Sequence, residues 1–252
     1  MRALCPIVFV GAAAMALQGG CTTTRATEND SIEPIAFGEI VDRGPAVGAD
    51  DVLPLNEVGA GWARTFDDEA PGAAEPSVTY ALGTREGGLW VSEQRGERTV
   101  RERLLIARED GSVVVPRMHN TSRRLITIFD PPILFLPGPL EPGQRIEQEV
   151  ELTVRPASEP DRIEREGTGT LTIESVGQQE VTIDGQTERI SLIRTTFESD
   201  FGVARVQRQT EWWIGRRDGL IAVREDEEVR VLGFVSERNR SLLVWEGARQ
   251  EP

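Results

Sequence analysis

The chain has 252 residues, 28 of them basic and 42 acidic, for a net charge of −14, and because lysine is absent every basic residue is arginine. An acidic surface repels phosphate backbones, which argues against nucleic acid as a partner. Two cysteines, Cys5 and Cys21, and a single histidine, His119, leave no disulfide framework and no zinc site of the usual Cys and His composition.

The first residues have the parts of a secretory signal: one positive charge at Arg2, an apolar run from Ala3 to Leu17, and small residues before a cut. The run is too short to cross a bilayer as a permanent helix, for which roughly 20 apolar residues are needed. Gly19, Gly20 and Cys21 resemble the processing site of bacterial lipoproteins, with one departure: Gln18 stands where leucine is usual, and Leu17 lies one place further out. The resemblance implies residues 1–20 as signal peptide and Cys21 as the diacylated first residue, an anchor that two acyl chains make stable. Thr22 lacks the aspartate that favours inner-membrane retention, so the resemblance implies an outer-membrane lipoprotein facing the periplasm.

Residues 21–76 read as an acidic, proline- and glycine-rich tether. Twelve acidic residues face three arginines between Thr22 and Pro76, and like charge with low hydrophobicity keeps such a segment extended. Ile35–Val41 and Val58–Phe66, with Trp62, are apolar enough to dock it at one or two points. Any helix is confined to the neighbourhood of Leu55–Arg64.

From Ser77 the chain changes to short β-prone runs separated by turn residues about every ten positions, so residues 77–252 read as one antiparallel all-β domain. Five prolines between Asp130 and Gly143 argue for a rigid loop packed over one end of the sheet, because each lacks a donor. Arg145–Arg155 alternates Ile146, Gln148, Val150, Leu152 and Val154 with mostly charged residues, the pattern of a half-buried strand. A hairpin turns at Asp184-Gly185, and Val203–Ile214 forms a long strand ending in Trp212-Trp213. These two tryptophans must point to opposite faces.

The proline-flanked apolar segment, the run Leu136-Pro-Gly-Pro-Leu-Glu-Pro-Gly143, the hairpins after it and Glu211-Trp-Trp-Ile-Gly-Arg-Arg-Asp-Gly-Leu220 resemble a family of secreted bacterial β proteins. Those in turn resemble the periplasmic lipoprotein carriers LolA and LolB. The resemblance covers roughly Pro132–Val235 and implies an antiparallel sheet curved into an open half-barrel around an apolar cavity, with a closed β-barrel or a sandwich as the alternative. It also implies Leu192, Phe197 and Trp213 as cavity-lining, ligand-binding residues. The expected function is that of an envelope lipoprotein binding an apolar ligand such as a lipid or acyl chain. The alternative is a structural or assembly module for an envelope protein or the cell wall.

No catalytic motif supports an enzyme. His119 has no Gly-x-Ser-x-Gly elbow beside it and reads as a solvent-facing residue in a turn. Asp50-Asp51 and Asp67-Asp68-Glu69 lack the spacing of a calcium loop, and Gly167 and Gly169 lack the third glycine of a phosphate cradle. No metal and no cofactor is expected. A carboxylate-dependent hydrolase is a third possibility, requiring two acids that face each other in a cleft.

Overall fold

Alternating apolar and polar residues, rich in Val, Ile and Thr, favour pleated strands with one buried face. The computed structural model describes residues 36–42, 44–48, 60–66, 74–85, 88–95, 98–183, 186–215 and 219–245. Strands account for most of them: β1 (Ala36–Asp42), β2 (Ala60–Phe66), β3 (Ala74–Arg85), β4 (Gly88–Arg95), β5 (Arg98–Ala107), β6 (Val113–Asn120), β7 (Leu125–Leu136), β8 (Arg145–Pro156), β9 (Arg165–Ile183), β10 (Gln186–Asp200), β11 (Ala204–Gly215), β12 (Gly219–Val231) and β13 (Phe234–Trp245). The signal segment 1–20 and Cys21 lie outside the described residues.

The strands form one antiparallel sheet in which nearly every strand pairs with its neighbours in sequence, the exceptions being β1, which pairs β9, and β13, which pairs β2. It is the all-β, antiparallel sheet curved around an open cavity that the half-barrel resemblance implied. The β8–β9 ladder runs from Arg145↔Glu174 to Val154↔Arg165 and links the two sides of the sheet. The sheet is split on the other side of β8. There the β7–β8 ladder stops at Asp130↔Glu151, so the first half of β8 pairs β9 alone.

The proline segment makes this split, and its conformation differs from the expected loop. Pro131 and Pro132 continue β7, and Ile133–Leu136 pair β6, from Val115↔Ile133 to Val113↔Leu136. The prolines fit because they sit in a bulge, between Ile128 and Ile133, where the β6 ladder is interrupted and no donor is required. Gln148 of β8 spans the gap: its side-chain amide donates to the Pro132 carbonyl at 3.0 Å and accepts from the Leu134 amide at 2.8 Å.

A second irregularity decides which side chains share a face. At Leu192/Ile193 the β9–β10 register skips Val176, so Leu192 pairs Gly177 while Ile193 pairs Ser175. Before this bulge Leu171 and Ile173 of β9 face the cavity; after it Gln179 and Val181, of the same parity, face away. Beyond the bulge β9 has exchanged β8 for β1, which pairs it from Ala36↔Thr182 to Asp42↔Gln178.

The described residues therefore place three strands, β1, β2 and the start of β3, within the span read as a tether, and Ala60–Arg64 is strand rather than helix. Val47, in the same span, is buried and exchanges two backbone hydrogen bonds with Leu140. Within the span expected to be a tether docked at one or two points, the described residues are thus largely paired strand.

The larger apolar cluster lies on the concave side and at one end of it, where Leu105, Val113, Leu136, Leu140, Ile193 and Ile214 close the sheet with Val47. A separate cluster of Val181, Ile190, Leu192, Trp213, Ile221 and Ala222 packs on the opposite face.

Candidate functional site

The register of four strands assembles the concave site in rows. Leu171 of β9, Phe197 of β10, Arg208 of β11 and Glu227 of β12 are successive cross-strand partners. In the next row stand Ile173, Thr195, Thr210 and Glu225, and beyond it Ser175, Ile193, Trp212 and Val223. Because side chains alternate along each strand, all of these point to one face. Of these, Leu171, Phe197, Arg208, Glu227, Thr195, Thr210, Glu225 and Trp212 line a cavity of about 200 Å³, completed from β5, β6 and β7 by residues that include Arg101, Arg103, Val115 and Phe135.

One wall is aromatic. Phe135, carried inward by the proline segment, meets Trp212 edge to face, with ring centroids 5.7 Å apart at 89°, a geometry that suits the opposed charges of ring face and edge. Phe197 and Phe201 lie over β9 because glycines there leave room. A Cβ on Gly169 would come within 2.9 Å of the Phe197 ring, and one on Gly167 within 2.6 Å of Phe201. Those two glycines, read from the sequence only as an incomplete phosphate motif, seat aromatic rings.

The other wall is charged. Arg208 donates through Nε to Glu227 Oε2 at 2.7 Å and through a terminal nitrogen to the same oxygen. Arg101 pairs the buried Glu93 at 3.4 Å. Arg103 places its guanidinium 6.0 Å from the Phe135 ring centroid. Burial opposes the charge on Arg208, but Glu227 and then Glu225 more than offset it and hold the guanidinium above its ordinary pKa. Glu225 makes no hydrogen bond or ion pair among the described residues.

Of the three residues the resemblance implied, Phe197 lines the cavity and Leu192 and Trp213 do not. Leu192 and Trp213 are cross-strand partners on the opposite face. There Phe37 of β1 stacks on Trp213 at 4.2 Å, and the indole nitrogen donates to Gln179 Oε1 at 2.8 Å. Alternation along β11 makes Trp212 the cavity tryptophan. Sequence reasoning also missed Arg208, Glu225 and Glu227, although the signal was present. Arg208 interrupts the stripe Val206, Thr210, Trp212, Ile214, and the two glutamates interrupt Val223 and Val229.

His119 is not in a turn. It lies on β6, half-buried, its ring 5.1 Å from that of Trp90 and its Nδ1 3.8 Å from Glu102. Glu225 and Glu227 both line the cavity, but they are neighbours on one face of one strand and Glu227 is engaged by Arg208. They do not face each other across a cleft as the acid and base of a hydrolase would.

No family model and no curated relative matches the chain. Among solved structures it is similar to a protein of Parabacteroides distasonis named as a candidate lipoprotein, at 10% sequence identity over 82% of this chain and 98% of that one, with a TM-score of 0.36.

Proposed function

We propose that the chain is a lipoprotein of the bacterial cell envelope, anchored to the periplasmic face of the outer membrane through Cys21, and that its curved sheet binds one slender apolar chain such as an acyl chain. It binds its ligand and does not transform it. The observation that carries this reading is the cavity itself, lined by Phe129, Phe135, Phe197 and Trp212 and not filled by them. At about 200 Å³ it is smaller than the roughly 300–1,000 Å³ of drug-sized sites. It therefore suits a single chain and not a whole two-chain lipid. Native mass spectrometry with lipid extraction, on the chain from Thr22 onward purified from a bacterial periplasm, tests the reading. A co-purifying single-chain lipid at one per protein is expected; a clean apo mass that persists after incubation with envelope lipids sinks it.

A second reading, an assembly module that docks another envelope protein, draws on the β10–β11 and β12–β13 turns. Val203 is 50% exposed, Leu232 70% and Phe234 78%, and the Leu232 amide donates to the Val203 carbonyl at 2.9 Å. Leu232 also has φ +51°, a conformation in which Gly, Asn or Asp is usual. An exposed apolar side chain at such a position suits contact with a partner more than solvent. Leu232→Asn with Phe234→Ser is expected to abolish capture of such a partner while leaving lipid content unchanged.

A further inference from the structure

We infer that the chain held in the cavity is a hydroxylated acyl chain, its hydroxyl set among Thr195, Thr210 and Glu225. The inference rests on the apolar-chain reading and deepens it from the polar groups that interrupt the apolar lining.

Thr195 of β10, Thr210 of β11 and Glu225 of β12 are successive cross-strand partners on the concave face, and all three line the cavity. Directly opposed residues hold their Cβ atoms about 4.5–5.5 Å apart, so a small polar group lying over Thr210 stands between its two neighbours. The next row towards the closed end holds Ile193 and Trp212, and beyond it the apolar cluster of Leu105, Val113, Leu136 and Ile214 receives a hydrocarbon tail. The polar row therefore lies part-way along the path of a bound chain.

Thr210 is only 5% exposed, and its hydroxyl makes no hydrogen bond among the described residues. Buried polar groups in folded proteins are nearly always paired, and covering this one with plain hydrocarbon would leave its donor and acceptor unmet. Its neighbours narrow the choice of partner. The Thr195 hydroxyl accepts from the Trp212 indole nitrogen at 3.5 Å, which leaves its proton to be donated, whereas the Glu225 carboxylate can only accept. A group placed between them must accept on one side and donate on the other. A hydroxyl does both through one oxygen. An ester or ketone oxygen has no proton for Glu225, a second carboxylate is repelled by it, and an ammonium cannot accept from Thr195. A site built around a ligand hydroxyl discriminates strongly against the analogue that lacks it.

The test is calorimetric titration of the chain from Thr22 onward, which keeps every described residue, with three probes: decanoate, and decanoate hydroxylated on its third or on its fifth carbon. At least one hydroxylated probe is expected to bind about tenfold more tightly than decanoate. Thr210→Val, close to threonine in shape, should bring that probe down to the affinity of decanoate and leave decanoate unchanged or tighter, while Thr210→Ser keeps the preference. Circular dichroism with a melting curve checks that each variant folds as the parent. Thr195→Val is expected to act as Thr210→Val does, and serves in its place should that variant not fold. Equal affinity for the three probes, tighter binding of decanoate, or a preference that survives both valine variants overturns the inference and leaves the apolar-chain reading standing. So does an equal loss for all three probes in the valine variants, the result expected if the hydroxyls only hold water. If none of the three probes binds, both fall.

Discussion

Trp212 and Trp213 are adjacent in sequence and opposite in consequence, so truncating each to alanine separates the cavity from the scaffold. Trp213 is 1% exposed, stacked on Phe37 and hydrogen-bonded to Gln179. Burying about 150–250 Å² of aromatic surface at roughly 25 cal/mol per Å² gives about 4–6 kcal/mol as an upper bound. Measured aromatic-to-alanine losses in cores of about 3–5 kcal/mol agree with it. Trp213→Ala is therefore expected to cost about 4 kcal/mol in urea denaturation, a large share of a total stability of about 5–15 kcal/mol. Trp213→Phe keeps the stacking surface and loses the hydrogen bond, about 1 kcal/mol. Trp212 is half-buried and faces the cavity, so Trp212→Ala should cost only about 1–2 kcal/mol while weakening ligand retention at least tenfold. If Trp213→Ala leaves stability within 1 kcal/mol of the parent, or removes bound lipid while the protein stays folded, the assignment of faces is wrong.

Three further outcomes follow from particular contacts. Gln148→Ala orphans the Pro132 carbonyl and the Leu134 amide, and should cost about 1–3 kcal/mol with a rise in hydrogen exchange confined to Leu134 and its neighbours; uniform exchange across β7 would contradict the bridging role. Gly167→Ala puts a methyl 2.5 Å from the Asp200 carbonyl oxygen, a backbone atom that cannot turn aside, and should cost about 1–3 kcal/mol, whereas an unchanged melting temperature would mean β9 and β10 yield there freely. Asp226 has its pKa lowered, first by its hydrogen bond from Arg238 and then, against some desolvation, by that from Arg240. A depressed carboxylate contributes above its unfolded pKa, and the contribution is lost as pH falls through the lower folded value. Asp226→Asn should thus cost about 0.5–1 kcal/mol, as befits a largely solvated pair, between pH 5 and 7, and the gap to the parent should close as pH falls below the ordinary carboxylate range; a gap that persists at low pH would assign the effect to packing.

Much of the fold was legible. The alternation of Ile146, Gln148, Val150, Leu152 and Val154 placed β8, the Asp184-Gly185 turn separated β9 from β10, and the long strand ending in two tryptophans is β11. The sheet's reach into residues 36–66 was less legible, because short strands punctuated by proline and glycine have the composition of a tether; only the apolar patches around Phe37 and Trp62 hinted at pairing. The proline segment was misjudged for a physical reason. Proline is barred from a continuous ladder, but Pro131 and Pro132 sit in an interruption of it. For the site, the rule that Trp212 and Trp213 face opposite ways was sound, but which of them faces the cavity follows only from the unbroken β10–β11 register, in which Phe197 pairs Arg208 and Ile193 pairs Trp212; Leu192, five positions from Phe197 on the same strand, takes the opposite face with Trp213. Arg208, Glu225 and Glu227 were readable as charges within apolar stripes, yet among 42 acids they did not stand out without the register that brings them into neighbouring rows.

The most direct test of an apolar chain held on the concave face is fluorescence quenching by a single-chain amphiphile brominated midway along its tail, titrated into the parent, Trp212→Phe and Trp213→Phe. The parent should be quenched saturably, Trp213→Phe should retain the quenching, and Trp212→Phe should lose most of it. Quenching that survives in Trp212→Phe and vanishes in Trp213→Phe, or no saturable quenching at all, would place any bound chain outside the cavity and contradict the account.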